Sequence, residues 1–185
     1  MKRLMIDVDD VIVDYHGYLG LVNEFLKSNY TINDVKSYYI QDLVPENLRE
    51  KFTEFFITKN IYDYSKIHSD CVETIKELNE KYDIYSAYVF RDNISYSADS
   101  LKHKFEFLLK NLPFLDPNKF TFQTNKSILN CEIKIDDKME NLKNAEIKLL
   151  YTAYHNENIS DDELRKENII RVNNWKEIRK ILLES

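Results

Sequence analysis

Two groups of acidic residues in this chain could do chemistry, Asp7, Asp9 and Asp10 and, further on, Asp136 and Asp137. Each group closes a short apolar run, Arg3 to Val8 and Ile133 to Ile135, of the kind that forms a buried strand. Residues two apart in a strand project to the same side. Where the strand ends, the Asp7 and Asp9 carboxylates can therefore reach one pocket. Carboxylates so close repel each other and do nothing for folding, and a divalent cation is the usual compensation. If the two strands are neighbours, three or four carboxylates converge on one oxygen-rich site, which suits Mg²⁺. A carboxylate can also attack phosphorus and form an acyl phosphate. A second one nearby can protonate the leaving oxygen and then activate water. Such chemistry wants a lysine to hold the phosphate and damp the repulsion. Lys126, opening a short helix in Thr124-Asn125-Lys126-Ser127 just before the second acidic strand, is placed for it.

These groups need a frame. The spacing predicts a helix capped by Ser69 and running to Lys81, with Val72, Ile75 and Leu78 on one face. A strand follows over Tyr82 to Tyr88. A helical stripe then carries Leu101, Phe105, Leu108 and Leu112, and Pro113 stops it. Short strands are expected at Phe120 to Phe122, Ile133 to Ile135, Ile147 to Thr152 and Ile169 to Val172, with a short helix after Asp137. Asn174 caps a last helix with Trp175, Ile178, Ile181 and Leu182 on its apolar side. Strands alternating with helices imply an α/β fold, a mostly parallel sheet with helices on both faces and ligands at the carboxyl ends of its strands. Residues 15 to 66 interrupt this alternation. They are rich in Tyr and Phe, have helical spacing and show no clear strand, so they form a small helical subdomain.

Composition narrows the functions. The chain has 185 residues, 43% of them hydrophobic, and a net charge of −6. That balance argues against a polymeric nucleic acid partner, which calls for a basic surface, and leaves a small phosphorylated substrate open, since a bound cation can supply positive charge. No run is long enough to span a bilayer and no apolar leader is present. Cys71 and Cys131 lack any paired spacing and read as buried, reduced thiols, so the expected location is cytoplasmic. His16, His68, His103 and His155 show no metal-ligand spacing, with His155 the one placed near a substrate edge. A calcium loop starting at Asp7 fails because Ile12 and Tyr18 stand where it needs Gly and Glu. A receiver domain fails because no Asp ends the strand where its phosphoacceptor belongs, Ser86-Ala87-Tyr88 standing there instead.

Taken with Lys126 and the Ile135-Asp136-Asp137 tip, the segment Ile6 to Asp14 (IDVDDVIVD) resembles the motifs of the haloacid dehalogenase (HAD) class of hydrolases, in order and spacing along the whole chain. NEKYDIY (79–85), NLPFLDP (111–117), IDDKMENL (135–142), YTAYHN (151–156) and RVNNW (171–175) resemble more closely the bacterial 5′(3′)-deoxyribonucleotidase-like branch. The resemblance implies a HAD-like Rossmannoid core over residues 1–14 and 67–185, with residues 15–66 as a helical cap over the site. It implies Asp7 as the nucleophile and the Asp9 side chain as the acid/base. Mg²⁺ would be held by the Asp7 carboxylate, the Asp9 main-chain carbonyl and Asp136, with Asp137 acting nearby. A nucleoside monophosphate would be the substrate. One position departs from the pattern. The family places Thr or Ser at the end of the second strand to bind phosphate, and Tyr88 falls there. Ser86, two residues earlier, and Tyr88 are both candidates for that hydroxyl. A drifted second motif leaves one alternative to the enzyme, a nucleotide- or phosphate-binding protein with weakened catalysis. Asp10 stands where the wider class has glycine. Among Phe25, Tyr38, Tyr39, Phe55 and Phe56, most are helix packing, and one or two could stack on a base.

Overall fold

A computed structural model describes the chain except residues 15, 38, 89–93, 124 and 185, with backbone alone at 16, 88 and 94–97. Six strands, β1 (Arg3–Asp7), β2 (Asp83–Tyr88), β3 (Phe120–Phe122), β4 (Ile133–Asp136), β5 (Ile147–Tyr151) and β6 (Ile169–Val172), form one parallel sheet in the order β3-β2-β1-β4-β5-β6. β1 lies at the centre, so its tip is the point where the strand order reverses, the position at which open α/β sheets bind ligands.

The helices are α1 (His16–Leu26), α2 (Arg49–Phe56), α3 (Cys71–Lys81), α4 (Ile94–Asn111), α5 (Asp161–Lys166) and α6 (Trp175–Leu183). One face of the sheet (Leu4, Ile6, Ile84, Ile133, Ile135, Leu149) packs with Ile75 and Leu78 of α3, Leu108 of α4 and Trp175, Ile178 and Leu182 of α6. The alternate residue Leu150 faces the other way, against Leu142 and Leu164 of α5. Asn174 caps α6, its side chain accepting from the Glu177 amide at 3.0 Å. The Trp175 ring donates from Nε1 to the Val11 carbonyl at 2.9 Å, tying the last helix to the loop after β1.

One local expectation is corrected. The residue before α3 is Asp70, in the left-handed region at φ 60°, and no side-chain cap hydrogen bond is present at this end among the described residues. The short helix expected after Asp137 is a 3₁₀ helix, Met139–Leu142. α5 lacks a sequence signature because only Leu164 of its six residues is buried.

Residues between α1 and Asp63 form helices α1 and α2 and short 3₁₀ turns. They enclose a separate cluster of Tyr18, Leu19, Leu21, Val22, Ile40, Val44, Phe52 and Phe56. The two ends of this segment are stapled together. Asp14 N donates to the Lys66 carbonyl at 2.9 Å, Lys66 N donates to Asp14 Oδ1 at 3.0 Å, and His68 N donates to the Ile12 carbonyl at 3.0 Å. Gly17 permits the close approach of α1 to the segment's far end, since a Cβ there would lie 2.7 Å from the Ile61 carbonyl oxygen.

Candidate active site

Leu4, Met5 and Ile6 pair with Ile133, Lys134 and Ile135, so one further step sets Asp7 level with Asp136 on the neighbouring strand. Both project to the face opposite the Ile6 and Ile135 side chains. The backbone then turns sharply. Asp10 sits in the left-handed region at φ 59°, which Asp tolerates better than most residues. The amides of Ile12 and Val13 converge on the Val8 carbonyl at 2.9 and 3.0 Å. Asp10 thus supplies with a side chain the conformation that glycine would give freely.

Lys126, 1% exposed, lies between the two strand tips. Its Nζ is 2.6 Å from Asp7 Oδ1 and 3.0 Å from Asp136 Oδ2. It opens a 3₁₀ turn, Lys126–Ile128, whose preceding residue Asn125 accepts from the Ser127 amide at 3.0 Å. The carbonyl of Lys126 in turn receives the fully buried Lys134 ammonium at 3.2 Å. Asp7 Oδ1 also accepts from the Val8 amide at 2.6 Å, and Asp136 Oδ1 from the Lys138 amide and Asn141 Nδ2 at 3.0 and 2.9 Å. Asp137, 5% exposed, completes the group. Its Oδ2 lies 2.7 Å from His155 Nε2, and Asn156 Nδ2 donates to its carbonyl at 2.8 Å. Asn156 is itself held by the Tyr151 carbonyl, the Ala153 amide and Arg171.

Three buried carboxylates against one ammonium leave an excess of negative charge. Burial pushes the Asp7 carboxyl up, with Lys126 opposing and Asp136 and Asp9 adding to the rise. Burial likewise pushes Asp136 up to about 6 against the pull of Lys126, and raises Asp137 despite its bond to His155. Burial alone would lower Lys126, but the charges of Asp7 and Asp136 override it and hold the ammonium above its usual value. Asp7, Asp136 and Asp137 each offer an oxygen within 4.8 Å of the others. Hard oxygen donors with uncompensated charge fit a divalent cation.

Asp9 lies beside this group, near enough for its charge to act on Asp7. Its carboxylate meets two partners that spacing along the chain does not reveal. Lys104 Nζ of α4 is 2.6 Å from Oδ2, and the Tyr62 hydroxyl donates to Oδ1 at 3.0 Å. The two candidates for the phosphate-binding hydroxyl both lie on β2. Ser86 pairs with Ile6 and shares its face, opposite Asp7, and its buried Oγ has no hydrogen-bond partner among the described residues. The pairing of Asp7 with Ala87 sets Tyr88 one residue beyond the level of Asp7. The Tyr88 side chain, Tyr38, and the long stretch expected after Tyr88 at 89–93 lie outside the described residues. Phe25, Phe55 and Phe56 pack with Phe52, Phe56 also against Tyr18, and Tyr39 is exposed.

The six-stranded parallel sheet, with acid pairs on two adjacent central strands and a lysine between them, has the HAD-like fold. A haloacid dehalogenase-like family hydrolase from Streptococcus pneumoniae shares the fold, with a TM-score of 0.57 at 14% identity over 96% of each chain. Residues 1–185 match the family described as 5′ nucleotidase, deoxy (pyrimidine), cytosolic type C protein (NT5C), and the chain belongs to that family. A Staphylococcus aureus protein named "Putative 5′(3′)-deoxyribonucleotidase" is 30% identical, over 100% of this chain and 97% of its own length. The 5′(3′)-deoxyribonucleotidase of Bacillus subtilis is 29% identical, over 98% and 99%. Both acidic clusters and Lys126 were legible as a unit. Lys104, Tyr62 and Asn156 were not, and no chain spacing could have connected them to the site.

Proposed function

We propose that this protein hydrolyses phosphomonoesters, with deoxyribonucleoside monophosphates as its substrates, through a phosphoenzyme formed on Asp7. The observation that carries this proposal is the meeting of Asp7, Asp136 and Asp137 around one buried lysine. The relatives' names supply the nucleotide. Asp7, its carboxylate fixed by the Val8 amide and Lys126, attacks phosphorus as the ester P–O bond breaks. Asp9 gives its proton to the leaving oxygen. As a carboxylate, Asp9 then takes a proton from water, whose oxygen attacks phosphorus and breaks the bond to Asp7, releasing phosphate. The Lys126 ammonium neutralises charge on the phosphoryl oxygens. The carboxylates of Asp7 and Asp136 and the Asp9 main-chain carbonyl would hold Mg²⁺, with Asp137 beside them. Bound there, the ion would supply further positive charge for the transferring phosphoryl group. Tyr88 or Ser86 would offer the hydroxyl that binds the phosphate. The helical segment after β1 acts as the cap that excludes water. Two buried, unpaired thiols, Cys71 and Cys131, fit a reducing, cytoplasmic setting.

The test is phosphate release from a panel of deoxy- and ribonucleoside monophosphates, sugar phosphates and p-nitrophenyl phosphate, with Mg²⁺, with EDTA and with Asp7→Asn. Metal-dependent release of phosphate from deoxynucleotides that vanishes in Asp7→Asn is expected. Nucleotide binding without turnover would favour a binding protein, and turnover surviving Asp7→Asn would mean the nucleophile lies elsewhere.

A further inference from the structure

Lys104 is a core-side residue of α4, only 7% exposed. An ammonium taken out of water is costly unless a charge meets it. Asp9 is the partner, at 2.6 Å, and the pair is lopsided: the Lys104 side chain is 8% exposed and that of Asp9 34%. The ion pair therefore runs from a dry support out toward the open side of the strand tips. The second Asp9 oxygen accepts from Tyr62 at 3.0 Å. Tyr62 lies in the 3₁₀ turn Ile61–Asp63 at the end of the helical segment, and its ring rests on Phe107 of α4 with centroids 4.8 Å apart. Lys104 Nζ also sits over that ring, 6.0 Å from its centre. Asp9, Tyr62 and Lys104 come from three separate stretches of chain and form one unit.

Asp9 follows the strand end in a tight turn, and an Asp carboxylate rotates broadly about its second side-chain torsion. A proton donor must instead keep one direction, because a misplaced donor loses most of its rate advantage. Two donors on separate oxygens, from separate elements, fix both torsions. We infer that Lys104 and Tyr62 are positioning residues that hold the Asp9 carboxyl group, protonated when it acts as the acid and still accepting from both donors, toward the leaving oxygen, Lys104 from the core and Tyr62 from the helical segment. This inference rests on Asp9 as the acid/base. The proton stays with Asp9 and the leaving oxygen, and Lys104 carries none of it. Because Tyr62 belongs to the helical segment, the acid is fully aimed only with that segment seated on the core.

The test compares two esters of one nucleoside, deoxyuridine 5′-monophosphate and its analogue with sulfur bridging the 5′ carbon and phosphorus. A thiolate leaves without a proton, whereas an alkoxide needs one. kcat/KM covers only the steps through formation of the phosphoenzyme, so it isolates the donor's contribution. Loss of an aimed general acid is worth ~10²-fold or more. Lys104→Met should lower kcat/KM on the oxygen ester by about that factor and on the sulfur ester by less than about threefold. Lys104→Arg should recover most of the loss, and Tyr62→Phe should show the same selective pattern at roughly tenfold. Tyr62→Phe keeps the ring packing and serves if Lys104→Met does not fold. Equal losses on both esters, or none on either, would overturn the positioning role. Asp9→Asn is run alongside. If it discriminates between the esters and the Lys104 and Tyr62 variants do not, only the positioning role fails. If Asp9→Asn does not discriminate, the acid/base assignment fails and the positioning role falls with it. A wild-type protein inactive on both esters overturns the phosphatase reading as well.

Discussion

Replacing Lys126 by Met removes the cation and keeps most of the side-chain volume. The ammonium lies 2.6 and 3.0 Å from two carboxylates and is 1% exposed. At an effective dielectric of ~20, each contact is worth about 6 kcal/mol of Coulomb attraction. Returning the buried ammonium to water recovers several kcal/mol of that. What remains is the cost of leaving Asp7 and Asp136 without their counter-charge, ~3–5 kcal/mol for a broken buried pair. For a chain of this size that lowers Tm by roughly 6–20 °C. The carboxylates can soften the penalty by taking up protons. With Lys126 in place, Asp136 is already pushed up to about 6. A carboxyl whose pKa is raised on folding contributes most stability at low pH and loses it as pH rises through the folded value. The Lys126→Met deficit should therefore shrink between pH 7.5 and 5.5. The assay is thermal unfolding of both proteins in EDTA at the two pH values, beside kcat with Mg²⁺. Activity should fall ~10²–10³-fold, the loss expected of one charge-stabilising group. A variant within ~1 kcal/mol of wild type in EDTA at pH 7.5 would refute the placement of Lys126 as the charge that holds the carboxylates together.

Protons and a divalent cation compete for the same oxygens, so Mg²⁺ should raise Tm more at pH 7.5 than at pH 5.5. Equal gains would place the ion elsewhere. Asn156→Ala removes an amide joined to the Asp137 and Tyr151 carbonyls. It should cost ~2–4 kcal/mol in denaturant unfolding, with kcat falling as Asp137 loses its support; an unchanged kcat would separate Asn156 from the site. Trp175→Phe deletes the bond to the Val11 carbonyl and should cost about 1–3 kcal/mol, read from urea midpoints. A neutral result would mean that water replaces the indole N–H.

The alternation of short apolar runs with helical stripes was enough to give the parallel sheet, because both periods are written locally. The acid pairs were legible as a site for a related reason. Each ends its own strand, and parallel strands bring all their carboxyl ends to one edge. Lys126 could be added because it immediately precedes the second acidic strand. Other features needed the folded chain. Ser86 and Tyr88 looked equivalent two residues apart, and the pairing of Ile6 with Ser86 and Asp7 with Ala87 sets Ser86 one residue short of the level of Asp7 and Tyr88 one residue beyond it. Asp70 in place of Ser69 before α3 depended on a left-handed backbone residue that no side-chain pattern signals. Asn156 gained its role from carbonyls of two different segments. The largest gap was around Asp9. Chain spacing links nothing across residues 9, 62 and 104, and Lys104 reads locally as one more polar residue of a helix. Tertiary packing buries its ammonium, and a buried charge must find its partner. The neighbourhood of Asp7 is thus encoded along single strands, while the support of Asp9 beside it exists only where three distant segments meet.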